Sequence, residues 1–178
     1  MTISTKTGDE GECSLMFGQR VPKFSLRVCA YGAVDEMCSA LGLAKASAKS
    51  PRLKDDISKI QSDLIKLMTE LATSNQNHAK LAEKNIPLIN SEDLDFLENS
   101  VAKIEKDGEF FKGWTLAGEN TLEAHFNMAR TICRRAEREI ARLNAEEPLP
   151  RKLPLAYINR LSDLIYLWGV LAAKNIVA

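Results

Sequence analysis

Arg130, Arg134 and Arg138 recur at every fourth position. On a helix that spacing sets three guanidinium groups in one column. Arginine's planar fork of donors matches the oxygens of a phosphate chain, so the column suits a polyphosphate. Arg135 and Arg142 flank it, and between 128 and 142 five basic residues stand against Glu137 and Glu139 alone. The same residues would also make a solvated face laced with Glu–Arg pairs. A partner is favoured by the adjoining stripe of Ala129, Cys133 and Ala136, small enough for another surface to approach closely.

The opening stretch, Thr5-Lys6-Thr7-Gly8-Asp9-Glu10-Gly11-Glu12-Cys13-Ser14, is a second candidate. Small hydroxyls, a lysine and two glycines let backbone N–H groups converge on phosphate oxygens. Its glycine spacing fits neither a P-loop nor a dinucleotide fingerprint, so taken alone it also describes an ordinary terminus. A third candidate is Asn159, Asp163 and Tyr166, a polar line at i, i+4 and i+7 on the most apolar segment of the chain. A buried acid there needs a partner, which is either an arginine of the column's helix or a ligand. Asp35, after Tyr31-Gly32-Ala33-Val34, poses the same question. Cysteines 13, 29, 38 and 133 and histidines 78 and 125 share no zinc spacing, so no metal-ligating set is expected.

The elements that must hold these residues are helical. The chain has 178 residues, one domain's worth, with an arm over 1–24 and helices over 25–178. Nine glycines, six prolines and 6% aromatics are too few for a strand-rich fold. Lys plus Arg and Asp plus Glu number 24 each, which argues against disorder and against general nucleic-acid binding. The spacing predicts helices from Ser25 to about Ala48, through Ile57–Leu71, from Ser91 to Lys106, from Thr121 to Asn144 and from Pro154 to Lys174. Residues 74–90 and 108–120 read as connectors, the second carrying Phe110, Phe111 and Trp114. Leu122, Phe126, Ala129, Cys133, Ala136, Ile140 and Leu143 form a heptad seam. The last helix, apolar nearly all round after Asp163, should be the most buried. The fold class expected is all-α, a bundle of about five helices with a loop-like arm. The longest uncharged apolar run, Leu164 to Ala173, has ten residues and is too short for a membrane span. With no apolar signal core and no C-x-x-C pair, a reducing cytoplasm is expected.

Four motifs in order resemble one family, the PduO-type ATP:cob(I)alamin adenosyltransferases. Thr5-Lys6-Thr7-Gly8-Asp9-Glu10-Gly11 is similar to its opening T-[KR]-T-G-D-x-G. Arg27-Val28-Cys29-Ala30-Tyr31-Gly32-Ala33-Val34-Asp35-Glu36 resembles R-V-x-A-Y-G-x-V-D-E. Ala129 to Arg138 is similar to A-R-x-x-C-R-R-A-E-R, and Tyr157 to Asp163 to Y-x-N-R-L-S-D.

The resemblance implies a homotrimer with sites at the subunit interfaces, ATP and cob(I)alamin as substrates, and Mg2+ accompanying the ATP. It implies transfer of the 5′-deoxyadenosyl group, giving adenosylcobalamin and triphosphate. Around that reaction it implies a flavin-type reductase and cobalamin-dependent acceptor enzymes, with no nucleic acid and no membrane. By the same resemblance Thr5, Lys6, Thr7, Gly8, Cys13, Ser14 and Lys23 wrap the ATP, and Arg130 and Arg134 face the triphosphate. Arg135, Glu137, Arg138 and Asn159 complete the nucleotide site. Asp35 pairs with Arg130 across the interface, Asp163 is a positioning acid, and Trp114 stands where the family's phenylalanine fills the vacated lower face of cobalt.

The ATP side is nearly intact, and most departures lie on the cobalamin side. The family's F-x-L-P-G-G reads Trp114-Thr115-Leu116-Ala117-Gly118-Glu119, and its histidine three residues before Arg130 is Asn127. Cys13 replaces a hydroxyl residue, and Met37-Cys38 replaces leucine and asparagine. A noncatalytic, ATP-regulated cobalamin carrier on the same fold is the alternative.

Overall fold

The computed structural model describes residues 4, 6–106, 108 and 116–176. Thr5, Phe110, Phe111 and Trp114 lie outside the described residues.

Six α-helices carry the fold: α1 (Leu26–Ser47), α2 (Pro51–Leu71), α3 (Ala79–Glu83), α4 (Ser91–Glu105), α5 (Thr121–Glu146) and α6 (Leu153–Ala173). Before them stand two short strands, β1 (Glu12–Ser14) and β2 (Arg20–Pro22). The all-α expectation holds for the body of the chain, with two corrections. The arm is an antiparallel hairpin rather than a loop, because Cys13 faces Val21 and Ser14 faces Arg20 across it. Strands of three residues are too short to display an alternating pattern. The connector 74–90 contains a 3-10 turn at Asn75–Asn77 and the five-residue α3, which buries Leu81 beneath it. That makes six helices where about five were expected.

Local chemistry sets the helix ends. Ser50 accepts from the backbone N–H of Leu53, and Pro51 supplies the fixed φ of a first helical residue. Helix α4 is capped by Asn90 rather than Ser91. Asn90 Oδ1 accepts from Asp93 N at 3.0 Å, and the Asp93 carboxylate accepts from Asn90 N at 3.1 Å. The reciprocal pair satisfies two otherwise orphaned donors. Ser25 stands at the N-cap of α1, but its hydroxyl makes no capping bond.

The heptad seam of α5 is wholly buried. Helix α5 packs against α1 and α6, α1 against α2, and α6 against α4. Twelve of the 21 residues of α6 are buried, the largest share of any helix, as its composition predicts. Polar groups join α2, α4 and α6. Lys66 Nζ reaches Asp63 and Asp93 at 2.9 Å, and the buried Tyr157 hydroxyl donates to Asp63 at 3.2 Å. Arg27 is 4% exposed and is held by Glu147, Asn75 and the carbonyls of Leu71 and Thr73. Arg151 pairs with the buried Glu70 at 3.1 Å.

Candidate active site

The hairpin fixes the arm. Its turn is closed by Leu15 N donating to Gln19 O, and Met16 N ties it to Ala72 at the end of α2. Phe17 and Gly18 adopt positive φ there, at 65° and 81°. Register places Arg20 opposite Ser14, and Arg20 then donates to Ser14 Oγ at 3.3 Å and to the Thr7 carbonyl at 2.8 Å. Lys6, Thr7, Asp9, Glu10, Ser14 and Arg20 line an open cleft of about 690 Å³. Gly8 leaves space for Lys23: a Cβ there would stand 3.2 Å from Nζ and 3.4 Å from the Glu12 carbonyl. Thus the hairpin brings Lys6, Thr7 and Ser14 to one cleft, with Lys23 beside Gly8. It adds Arg20, which sequence reasoning missed. Reading the arm as a loop left no register, and the register is what sets Arg20 beside Ser14 and Thr7.

Cys13 turns toward the helices. Its Sγ lies 3.8 Å from the Tyr31 hydroxyl on α1. Burial, and then the bond to Cys13, pushes the Tyr31 phenol up to about 12.

The arginine column lies on α5 as its spacing requires. Arg134 and Arg138 are exposed. Arg134 has an ion pair at 3.8 Å with the half-buried Glu137 one turn on. Arg135 pairs with Glu36 of α1. Arg130 is half-buried, with Nη2 at 3.5 Å from Asn127 Oδ1 and a buried Nε that has no hydrogen-bond partner among the described residues. Asp35 is exposed on α1, one residue before Glu36. Helix α1 therefore touches the arm through Tyr31 and, through Glu36, Arg135 beside the column.

The line on α6 differs from expectation. Asp163 is not buried: its side chain is 46% exposed and pairs with Arg160 at 2.8 Å within the same helix, not with an arginine of α5. Arg160 also reaches Glu98 of α4 at 3.7 Å. One turn of helix separates Arg160 and Asp163, so the local pair forms without any help from packing. Asn159 is exposed, and Tyr166 is half-buried. Among the described residues no group of three or more His, Cys, Asp or Glu is arranged to hold a metal ion. The buried Cys133 thiol is pushed up by desolvation, then by Glu137, and is a packing group.

Open arginines, a lysine-bearing turn and a cleft of backbone and hydroxyl groups can hold and neutralise a phosphate chain. The comparisons with known proteins agree with that chemistry. A model of the cobalamin adenosyltransferase family matches residues 3–172. A corrinoid adenosyltransferase of Citrobacter freundii is 34% identical over 164 residues, 92% of this chain and 90% of that protein. The corrinoid adenosyltransferase PduO of the same organism is 36% identical over 166 residues, and the chain spans only 48% of its length. Among solved structures, a single-residue variant of the PduO-type ATP:corrinoid adenosyltransferase from Lactobacillus reuteri, complexed with cobalamin and ATP, superposes with a TM-score of 0.87. It is 31% identical, and the match covers 97% of this chain and 94% of that one.

Proposed function

We propose that this chain, which belongs to the cobalamin adenosyltransferase family, transfers the 5′-deoxyadenosyl group of ATP to the cobalt of cob(I)alamin, releasing triphosphate. The observation that carries the reading is the column on α5. Arg134 and Arg138 are exposed, and Arg130 Nε has no hydrogen-bond partner among the described residues. The L. reuteri neighbour complexed with cobalamin and ATP supports it.

The reduced cobalt of the substrate is itself the nucleophile, so the chain needs no nucleophile–base pair. Its tasks are to hold C5′ in line with that cobalt and to stabilise charge on the departing triphosphate. Arg130 and Arg134 face the triphosphate. Lys6, Thr7, Gly8, Ser14 and Lys23, with Thr5, Cys13 and the newly identified Arg20, wrap the nucleotide, and Arg135, Glu137, Arg138 and Asn159 complete its site. Asp163 orients rather than transfers a proton, in keeping with its pairing to Arg160. Mg2+ arrives on the ATP phosphates, a mode that asks for one or two protein carboxylates at most. Trp114 covers the lower face of the corrin.

The assembly is a homotrimer in which Asp35 of one chain meets Arg130 of the next. Support comes from two half-exposed apolar side chains, Leu43 on α1 and Met128 on α5, at 50% and 53%. No described helix is long and apolar enough to cross a membrane. The proposed setting is the cytoplasm, with a flavin-type reductase delivering the electron and cobalamin-dependent enzymes taking the product.

The test is an anaerobic incubation of the chain with chemically reduced cobalamin and Mg-ATP. Adenosylcobalamin and triphosphate in equal amounts are expected. ATP binding with neither product would replace the reading with that of a carrier. For Trp114→Ala, turnover coupled to reduction should fall more than ATP affinity; equal losses would remove Trp114 from that role.

A further inference from the structure

Three hydrogen-bonded steps climb the first turns of α5. The Glu123 carboxylate is 4% exposed. Its Oε2 accepts from the backbone N–H of Gly118 at 2.6 Å and of Glu119 at 3.2 Å. Its Oε1 accepts from Asn127 Nδ2. Asn127 Oδ1 in turn faces Arg130 Nη2 at 3.5 Å. Gly118 takes a φ of +115°, a conformation that L side chains rarely adopt, in presenting its N–H to the carboxylate. Asn120, the N-cap, fixes the same loop to α6 through the Ala172 carbonyl at 2.8 Å.

The polarity of this ladder is determined. A carboxylate only accepts, so Asn127 must turn its amide nitrogen to Glu123 and its oxygen to Arg130. The spacing of i, i+4 and i+7 puts the three side chains on one face of the helix. The Glu123 carboxylate is buried and bonded to the exposed loop at 2.6 and 3.2 Å, while the arginine step is longer and Arg130 Nε has no partner among the described residues.

We infer that Glu123 and Asn127 are positioning residues that aim the Arg130 guanidinium and tie its aim to the Gly118–Glu119 loop. The inference rests on the adenosyl-transfer reading for its catalytic consequence. It gives Asn127, where the family's histidine stands, a defined task. It also explains why a buried acid sits in the first turn of α5: it is the fixed post between the loop and the amide.

The test reverses the polarity. In Glu123→Gln the glutamine carbonyl still accepts from the loop, but its amide nitrogen points at Asn127. Asn127 must then flip and offer Arg130 an N–H. The expected result is a fall in kcat of roughly tenfold or more at saturating substrates, with the KM for ATP changed much less. Asn127→Asp alone sets two carboxylates against each other and should also lose activity. The double variant Glu123→Gln/Asn127→Asp restores every donor–acceptor match and should recover most of the lost kcat. In an Arg130→Ala background, Glu123→Gln should have no further effect on kcat.

A Glu123→Gln variant with wild-type kcat, a double variant no better than its parents, or an undiminished effect without Arg130 would each overturn the inference. A second readout separates it from the transfer reading. The Arg130 Nε–H resonance in the NMR spectrum of the substrate-free protein should shift in Glu123→Gln and return in the double variant. If wild type forms no adenosylcobalamin, the transfer reading fails, and an unmoved Nε–H resonance is then what overturns the ladder.

Discussion

The α2–α4–α6 side and the α1–α5 side use the same charged residue types to opposite ends. On the first, most charges close on each other within the chain: Asp63 and Asp93 on Lys59 and Lys66, and Glu70 Oε2 on Arg151, with Glu70 Oε1 left at 3.6 Å from His78. Asp63 and Glu70 are each 2% exposed, and Asp93 5%. Arg27 belongs to this class, with five hydrogen bonds to four partners. On the second side Arg135 closes on Glu36, but Asp35 and Arg138 are exposed, Arg134 has only a 3.8 Å pair at the surface, and Arg130 Nε has no hydrogen-bond partner among the described residues. The lesson is that an ion pair finished inside the chain holds helices together, whereas a charge left unfinished on an ordered helix is available to a ligand or a second chain.

Arg134→Ala sharpens that contrast most. Removing its charge from the departing triphosphate should raise the barrier by about 3 kcal/mol or more. Because the side chain is exposed, the melting temperature should stay within about 2 °C. Steady-state turnover beside a thermal melt checks both, and a variant within twofold of wild-type turnover removes Arg134 from the role. Asp63→Ala should show the reverse. Losing the centre of the Lys59–Lys66–Tyr157 cluster leaves the buried Tyr157 hydroxyl without its acceptor and the two lysines with Asp93 alone. It should cost about 2 kcal/mol, or roughly 4–8 °C for a chain of this size. The folded fraction should retain its kcat, and a chain of wild-type stability would break the comparison.

How much of this was legible in the sequence divides along the same line. Helical periodicity and the Arg130–Arg134–Arg138 column depend on spacing alone, so both were readable. Of the arm residues Lys6, Thr7 and Ser14 share a cleft, whereas Cys13 turns toward Tyr31. What escaped depended on tertiary register. Arg20 meets Ser14 and Thr7 only through the hairpin, and Glu123 meets Gly118 and Glu119 only through the way the loop enters α5. Asp163 misled because its helix is apolar, yet the position itself faces outward and pairs with Arg160. Asn90 outcompeted Ser91 as a cap because its side chain and Asp93 close a reciprocal box.

Acid should weaken the Asp93 pairing on the closed side. Burial raises the Asp93 carboxyl, but bonds from Lys66 and the Asn90 N–H hold it below the usual range. A depressed folded pKa contributes stability that is present above the unfolded value, about 4, and is lost as pH falls through the lower folded value. Denaturant melts between pH 6 and pH 3 should therefore fall more steeply for wild type than for Asp93→Asn; equal slopes would contradict the assignment. Smallest is Ser50→Ala, which removes a 3.4 Å cap from α2 and should cost about 0.5–1 kcal/mol without altering turnover. A stability change above about 2 kcal/mol in chemical denaturation would show that Ser50 does more than cap.

In the proposed homotrimer the charges left open in one chain are completed by another. The most direct test is complementation. Asp35→Ala and Arg130→Ala chains are prepared separately, then unfolded and refolded together. Adenosylcobalamin formation is measured for each parent and for the mixture. The account predicts two nearly inactive parents and a mixture several-fold more active than either, because some interfaces pair an intact Asp35 with an intact Arg130. A mixture no more active than its parents, with mixed assemblies shown to have formed, would contradict it.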